Sequence, residues 1–174
     1  MTGSLPPPDL PDRADEAVTA LFRLHAHALT GLAVLLVSDA ETAEDVVQEA
    51  FLGLYRRWFF IRDRQGALGY LRTAVLNGAR SRLRRRRTER AYAAPYDVAA
   101  PSAETQAAER AEAGEILACV DNLPRRQREV LVLRYHLDLS EAEIAAELGI
   151  SRGAVKSHAS RGLAALAQRM GATR

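Results

Sequence analysis

The chain lacks the residues that build disulfide-bonded, zinc-stabilised or membrane-spanning proteins. Among its 174 residues Cys119 is the only cysteine, so it can form neither an internal disulfide nor a cysteine-based zinc cluster. No uninterrupted apolar run approaches the ~18 residues that a membrane span needs. The first twelve residues, MTGSLPPPDLPD, lack the basic start and the apolar stretch of a signal peptide. These absences predict a cytoplasmic protein that does not insert into membranes.

Metal-ligand, enzyme and β-strand patterns are missing as well. The four histidines (His25, His27, His136, His158) have no metal-ligand spacing, and no phosphate loop or nucleophile motif is visible. The sequence therefore predicts no enzyme, no metal site and no cofactor. No alternating run of β-branched residues appears, which predicts an all-α protein.

Charge divides the chain into two basic blocks with an acidic segment between them. Residues 13–90 carry a net charge of +5 and residues 125–174 carry +4, whereas residues 91–124 carry −5 and residues 1–12 carry −2. Of the 24 basic residues 23 are arginine. Arginine favours bidentate contacts with phosphates and base edges, although a coding bias would give the same count. The pattern suggests two anion-binding modules on a tether.

Composition sets the predicted domain boundaries. Residues 1–12, rich in proline and glycine, are predicted to be a disordered tail. Residues 91–104 are rich in alanine and proline and carry no helical stripe, so they are predicted to be a flexible linker. We therefore expect two small helical domains, at residues 13–90 and 105–174.

Apolar residues recur at intervals of three and four in the first domain, which predicts three helices. The stripe of the first helix comprises Val18, Leu21, Phe22, His25, Leu29, Leu32, Ala33 and Leu36. Ser38 and Glu41 form a predicted capping box that opens the second helix. The inward face of that helix comprises Val46, Val47, Ala50, Phe51, Leu54, Tyr55 and Trp58. The third helix is expected to begin near Leu68 and to run into the arginine tract at residues 84–87.

The second domain contains the clearest local signal, SEAEIAAELGISRGAVKSHASRGLAAL. Gly149 supplies a left-handed turn between two helices, and Ser151 caps the second of them. Their predicted inward residues are Ile144, Ala145, Leu148, Val155, Ala159, Leu163 and Leu166. Their outward residues are Arg152, Lys156, Ser157, Ser160 and Arg161. A plain helical hairpin with a solvated face is the alternative, but the order A-x-x-L-G-I-S favours a DNA-binding helix-turn-helix.

Two further helix faces carry polar patterns. The segment AEDVVQEAFLGLYRRW places Asp45, Gln48, Glu49 and Leu52 on one face, away from the apolar stripe. That face suits a protein partner, but on spacing alone a solvated helix surface is the preferred interpretation.

The second such face lies in YLRTAVLNGARSRLRRRR. Arg80, Arg84 and Arg87 follow each other at three- and four-residue spacing, with Asn77 one turn earlier. Neutralising DNA phosphates is the natural use of such a stripe. Cations at a helix end also complement the helix dipole, but four consecutive arginines exceed that need.

Taken in this order, the three motifs resemble those of a bacterial extracytoplasmic-function (ECF) RNA polymerase sigma factor. AEDVVQEAFLGLYRRW is similar to the segment of that family that binds core polymerase. GYLRTAVLNGARSRLRRRR resembles its promoter-melting and minus-ten segment. LPRRQREVLVLRYHLDLSEAEIAAELGISRGAVKSHASRGLAAL resembles its minus-thirty-five-binding domain. The resemblance covers residues from about 15 to 170, so residues 13–90 correspond to sigma region 2 and residues 105–174 to region 4.

The resemblance implies roles for individual residues. The face that binds core polymerase would comprise Asp45, Gln48, Glu49 and Leu52, which replaces the solvated-surface interpretation. The minus-ten contacts would come from Arg62, Arg64, Asn77, Arg80 and Arg84. The minus-thirty-five contacts would come from Arg134, Arg152, Lys156, Ser157, Ser160 and Arg161. The implied partners are the β and β′ subunits of core RNA polymerase and promoter DNA. An anti-sigma factor is a candidate partner, because family members are commonly held by one.

One rival interpretation is a plain DNA-binding regulator, with a helix-turn-helix after a dimerisation or receiver domain. It would leave the Asp45-containing face and the arginine stripe unexplained. Binding to core polymerase discriminates the two.

Overall fold

The computed structural model describes residues 13–61, 66–92, 114 and 117–172. Its helices are α1 (Ala14–Val37), α2 (Ala40–Arg57), α3 (Ala67–Tyr92), α4 (Arg125–Tyr135), α5 (Glu141–Leu148) and α6 (Arg152–Ala172), with a 3-10 turn at Trp58–Phe60. Residues 117–121 are also helical, and no strand occurs in these described ranges. The predicted all-α fold is confirmed. The predicted tail and residues 93–104 of the predicted linker lie outside the described residues, whereas the first two linker residues belong to α3.

Helices α1, α2 and α3 pack against one another as a bundle with an apolar core. The residues predicted to face inward on α2 and in the turn after it are all buried except Tyr55, which is 48% exposed. Trp58 is the largest fully buried side chain. The ring of Phe22 meets that of Phe51 edge to face, with centroids 5.0 Å apart, an arrangement that aromatic quadrupoles favour.

By length and composition alone, helix α1 could cross a membrane. No other helix among the described residues meets these two criteria. Eight of its residues are buried in the fold, including Leu21, Leu29 and Leu32. The core helix of a bundle has the same length and composition, because its buried stripe widens when several helices cover it.

The junction between α1 and α2 corrects one prediction. Ser38 is not the N-cap of α2: it ends α1 in the left-handed conformation (φ 56°), with its N–H donating to the Val34 carbonyl. Asp39 caps α2 instead, and its Oδ2 accepts from the Thr42 N–H at 2.9 Å. The Ser38–Glu41 capping box is therefore wrong by one residue, because Ser38 has a backbone conformation that an N-cap cannot have.

Helices α2 and α3 approach closely where α3 carries a glycine. A Cβ built on Gly78 would lie 2.9 Å from Cγ1 of Val46, so no larger side chain fits without a shift. The close approach lets α3 bury Leu71, Val75 and Leu76 while its opposite side stays at the surface.

Helices α4, α5 and α6 form the second bundle, and the predicted helix-turn-helix is confirmed between α5 and α6. Gly149 adopts the left-handed conformation (φ 63°) after α5, and Ser151 Oγ accepts from the Ala154 N–H at 3.1 Å. A capping box that we did not predict opens α5, where Ser140 and Glu143 bond reciprocally. These hydrogen bonds to Ser140 lower the pKa of the Glu143 carboxyl. Of the predicted inward residues, Leu163 is 44% exposed and therefore does not anchor α6.

Helix α4 is buried over more of its circumference than its sequence predicts. The expected apolar residues Val130, Leu131 and Leu133 are buried, but so are Arg128 and Glu129. The reason is that α4 packs against α5 and α6 on one side and against α1 of the first bundle on another. The two bundles therefore share one continuous core.

Candidate polymerase and nucleic-acid interfaces

The outward face of α2 brings together the four residues predicted to bind core polymerase. Asp45, Gln48 and Glu49 are exposed, and Leu52 is 48% exposed. They line one side of α2 because its other side holds the bundle core. Glu49 Oε1 lies 2.5 Å from Nη2 of Arg82 on α3, a surface ion pair whose members are both accessible. The result is an acidic face with an apolar edge.

The predicted minus-ten residues are distributed along α3, and we call Asn77, Arg80, Arg84 and Arg87 the α3 stripe. Asn77, Arg84 and Arg87 are exposed, as predicted for a surface that binds nucleic acid. Arg62 and Arg64 lie outside the described residues.

Arg80 differs from its neighbours in the α3 stripe because its guanidinium group is occupied. Its Nη1 donates to Asn77 Oδ1 at 3.1 Å. Its Nε and Nη2 donate to the two carboxylate oxygens of Glu129, at 2.7 and 3.0 Å. Bidentate pairs of this kind are among the strongest hydrogen-bonded ion pairs in proteins.

A cleft of about 620 Å³ separates α3 from the start of α4. Its charged lining comprises Arg80, Arg84, Arg87, Arg125, Arg128 and Glu129. Five guanidinium groups against one carboxylate make this cleft a region of positive potential, which attracts anions such as phosphates.

The outward face of α6 carries the predicted minus-thirty-five residues. All five that lie on this helix are exposed: Arg152, Lys156, Ser157, Ser160 and Arg161. Arg134, at the end of α4, is half-buried, and its Nη1 lies 3.5 Å from Oε1 of Glu141. Lys156 Nζ lies 3.8 Å from the other oxygen of the same carboxylate. Glu141 thus holds Arg134 next to the recognition face of α6.

Sequence reasoning missed the charged residues between the two bundles. Glu147 on α5 accepts from Arg72 Nε at 2.8 Å and from Thr73 Oγ1 at 2.7 Å, and both donors belong to α3. Burial, with the positive charge of Arg72 as a smaller cause, lowers the pKa of His25 on α1. No local signal in the sequence could have found these pairs, because Arg72 and Glu147 are 75 residues apart.

Two exposed aromatic residues were also missed. Phe59 and Phe60, in the turn after α2, are 79% and 83% exposed. Large apolar groups so exposed at adjacent positions are typical of binding surfaces. Within the described residues, no three histidine, cysteine or acidic side chains come close enough to hold a metal ion.

Comparison with known families identifies the class of protein that these surfaces serve. Residues 21–89 match Sigma-70 region 2, and residues 113–166 match Sigma-70, region 4. The first match falls on the α1–α3 bundle and the second on the α4–α6 bundle. The chain belongs to the sigma-70 family of RNA polymerase sigma factors.

Individual relatives place it within that family. The chain is 36% identical over 153 residues to the RNA polymerase sigma-E factor of Streptomyces coelicolor, covering 85% of this chain and 82% of that protein. It is 32% identical over 161 residues to the sigma factor CarQ of Myxococcus xanthus, covering 92% of each. It is 32% identical over 155 residues to the ECF sigma factor SigM of Mycobacterium tuberculosis, covering 89% and 78%. The chain is an ECF sigma factor, which binds core RNA polymerase and recognises promoter DNA.

Two solved structures share this fold. One is CnrH in complex with the cytosolic domain of CnrY, with a TM-score of 0.72, 24% identity and coverage of 92% of this chain and 91% of that one. The other is the sigma factor RpoE of Bartonella quintana in complex with the anti-sigma factor NepR, with a TM-score of 0.71, 23% identity and coverage of 90% and 98%.

Proposed function

We propose that this sigma factor divides its work among three surfaces. The outward face of α2 binds core polymerase, the α3 stripe contacts the minus-ten element as the duplex opens, and the outward face of α6 reads the minus-thirty-five element. Residues 13–90 then act as region 2, residues 91–104 as the linker and residues 105–174 as region 4.

The observation that carries the proposal is the two-sidedness of α2. Asp45 and Gln48 are exposed, while Val46, Val47 and Phe51 between and after them are buried. A solvated helix would be equally two-sided, but Leu52 adds an apolar side chain at 48% exposure to the polar face. Polar groups around an exposed apolar residue are the usual composition of a specific protein interface.

Binding to core polymerase tests this assignment. We expect Asp45→Ala combined with Gln48→Ala to weaken binding at least about 100-fold, the scale of interface residues that dominate affinity. Circular dichroism should be unaltered, because neither truncation opens a cavity. Arg57→Ala is the control: Arg57 is exposed on the same helix but about 120 degrees away from Asp45 and about 180 degrees away from Gln48. Unchanged affinity of the double variant would contradict the assignment and place core binding on another surface of the chain.

The chemistry of the two other surfaces supports DNA as their ligand. Side chains on α6 offer arginine and lysine for guanine edges and phosphates, and serine for either. The α3 stripe offers guanidinium groups for the phosphates of an opened strand, and Asn77 for a base. Phe59 and Phe60 are exposed, and their rings suit stacking on unpaired bases. Arg62 and Arg64 follow this pair in the sequence and would supply charge for phosphates.

The remaining assignments concern location and partners. We infer a cytoplasmic protein without catalytic activity, since core polymerase supplies the chemistry of transcription. An anti-sigma factor is the expected regulatory partner, and the structures of CnrH with CnrY and of RpoE with NepR support this inference by similarity of fold. An apolar cleft of about 450 Å³ supports it as well, since Leu35, Val120, Tyr135 and Leu163 at its edge suit an apolar segment of a partner.

A further inference from the structure

Helix α6, which we propose reads the minus-thirty-five element, has basic residues and no acidic residue of its own. A carboxylate nevertheless reaches its recognition face, from Glu141, the first residue of α5. The Glu141 side chain is only 22% exposed. A carboxylate on a surface that faces DNA repels phosphates and lowers affinity, so its position beside Lys156 needs an explanation.

The two oxygens of the Glu141 carboxylate serve two different cations. Oε1 lies 3.5 Å from Nη1 of Arg134, which belongs to the last turn of α4. Oε2 lies 3.8 Å from Nζ of Lys156 on α6. The Arg134 side chain is 38% exposed and that of Lys156 is 68% exposed. The more buried arginine therefore fixes one oxygen, and the other oxygen is left for the more accessible lysine.

The start of α5 is well anchored, so it can hold this carboxylate in place. Ser140 and Glu143 close a capping box around the first turn, in which the Ser140 N–H donates to Glu143 Oε2 at 2.8 Å. Because the cap uses Glu143, the other acidic residue of that turn, Glu141, remains for the neighbouring helices. Leu139 before the turn and Ile144 within the helix are buried in the core. Negative charge at this end of a helix is also favoured by the helix dipole.

Lys156 is a side chain whose direction depends on a fixed partner. Lysine carries its charge on a flexible four-carbon stem and lacks the planar fork that gives arginine a defined direction. Without a partner, such an ammonium group pairs with any phosphate within reach, which adds affinity but no sequence information. A carboxylate 3.8 Å from Nζ restricts the ammonium group to one side of α6 and competes with phosphates for it.

We propose that Glu141 is a positioning residue for minus-thirty-five recognition: it holds the ammonium group of Lys156 for a base edge and withholds it from the phosphate backbone. Arg134 orients the carboxylate through its other oxygen. The inference rests on the proposed role of α6 in reading DNA. Glu141 acts through Lys156 rather than through contact with a base. It weakens binding to all sequences and thereby raises the ratio of specific to non-specific affinity, which decides promoter choice in a genome.

Glu141→Gln tests the proposal in the full chain, because it keeps the side-chain shape and removes the charge. The probe is a pool of fluorescein-labelled duplexes with a randomised central segment. Affinity for the unselected pool measures non-specific binding, and the affinity for the sequence that the wild type selects, divided by it, is the specificity ratio. We expect Glu141→Gln to bind the unselected pool about threefold more tightly and to lower the specificity ratio about tenfold. The salt slope of binding should steepen by up to about one.

A loss of folding cannot produce this result, since a destabilised domain binds every sequence more weakly. Asp138→Asn is the matched control, because it removes the same charge from an exposed position before α5. Asparagine tolerates the left-handed backbone at this position (φ 51°). We expect the control to leave the specificity ratio unchanged. If Glu141→Gln and Asp138→Asn have the same ratio and salt slope, the position of Glu141 is immaterial and the proposal is overturned.

A double-mutant cycle with Lys156→Ala tests the route of the effect. If Glu141 acts through Lys156, Glu141→Gln should change the specificity ratio less than about twofold in the Lys156→Ala background. An undiminished loss of about tenfold in that background would mean that Glu141 acts on DNA without Lys156, and the positioning role would be wrong.

Arg152→Ala separates failure of this proposal from failure of the DNA assignment of α6. Arg152 is exposed on the same helix and lies outside both Glu141 ion pairs. If Arg152→Ala weakens binding to the unselected pool while Glu141→Gln changes nothing, α6 binds DNA and the positioning role is overturned. If Arg152→Ala and Lys156→Ala both bind the pool like the wild type, α6 does not bind DNA and both proposals fail. A higher non-specific affinity with a lower ratio, found only where Lys156 is retained, supports the positioning role.

Discussion

The two proposed nucleic-acid surfaces of this sigma factor differ in what covers them. On α6 the recognition residues are exposed, and the nearest carboxylate to Lys156, that of Glu141, is 3.8 Å away. On α3, Arg80 is already paired through two hydrogen bonds with Glu129. Both surfaces are rich in arginine, so composition does not separate them. The difference shows that accessibility is set by tertiary contacts: the α6 residues are free to meet DNA, whereas Arg80 of the α3 stripe must first leave Glu129.

The largest effect on DNA binding is expected on α6, where the recognition residues are exposed. Lys156 lies in the first turns of α6, the part of a recognition helix that enters deepest among base edges. Lys156→Ala should relax sequence preference at one or two positions and cost about 1 to 3 kcal/mol on the preferred promoter. Binding of the full chain to a library of minus-thirty-five variants measures both quantities. Uniform weakening across the library would show that Lys156 contacts phosphate only.

A smaller loss of DNA affinity is expected when two members of the α3 stripe are compared in the unbound chain. Arg84→Ala should weaken binding to single-stranded DNA by about 1 to 2 kcal/mol, the scale of one lost hydrogen bond to a charged group. Arg80→Ala should weaken it less, since Glu129 already occupies that guanidinium. Fluorescence anisotropy with one oligonucleotide measures both variants. A greater loss for Arg80→Ala would mean that Arg80 is not held by Glu129 in the unbound chain.

Arg161 sharpens the comparison within α6. It lies five residues after Lys156, about 140 degrees round the axis, so both side chains cannot point into the groove floor. Its Nε also donates to the Ser157 carbonyl at 3.2 Å, which holds the side chain along the helix. Arg161→Ala should weaken all sequences about equally and lower the salt slope of binding by about one. A changed ranking of promoter variants would reverse the roles of the two residues.

The smallest effect is on the stability of the fold. It concerns Asp39, the N-cap of α2, which accepts a hydrogen bond from Arg86 on α3. Hydrogen bonds from Thr42, with a smaller contribution from Arg86, lower the pKa of Asp39 below 3.8. Because the folded-state pKa is the lower one, the carboxylate stabilises the fold above pH 3.8, and this stabilisation is lost as the pH falls through the folded value. Asp39→Asn keeps a capping side chain, so its cost at neutral pH should be at most about 1 kcal/mol.

Urea unfolding at several pH values measures this cost. The difference between Asp39→Asn and the wild type should be constant near neutral pH and should vanish in acid. A difference that persists after the carboxyl is protonated would mean that charge is not its cause.

Local patterns in the sequence were sufficient to predict the fold and the exposed faces of α2 and α6. The spacing of Ile144, Gly149 and Val155 predicts the helix-turn-helix because each residue acts within a few positions of itself. The same holds for the outward face of α2, which follows directly from the buried stripe beside it. The error at Ser38 has a local cause too: serine is a common N-cap, and its left-handed backbone at this site cannot be deduced from its identity.

The junction between the bundles could not be predicted in this way. Glu129 follows a run of charged residues in the sequence, and its burial depends on Arg80, 49 residues earlier. The exposure of Leu163 has a different origin: its neighbour Gly162 is the buried residue of that turn, and a Cβ on Gly162 would lie 2.8 Å from Cδ1 of Leu131 on α4. Pairings between distant elements leave no periodic signal.

Promoter-dependent transcription by core polymerase tests most directly the claim that Arg80 is paired with Glu129 in the unbound chain and is used on the promoter. The variants are Arg80→Ala and Arg85→Ala; Arg85 is exposed on α3 outside the stripe and pairs with Glu89 on its own helix. Arg80→Ala should reduce transcript yield at least about tenfold, a loss of about 1.4 kcal/mol, although it hardly changes DNA binding by the unbound chain. Arg85→Ala should transcribe like the wild type. Wild-type yield from Arg80→Ala would contradict the account.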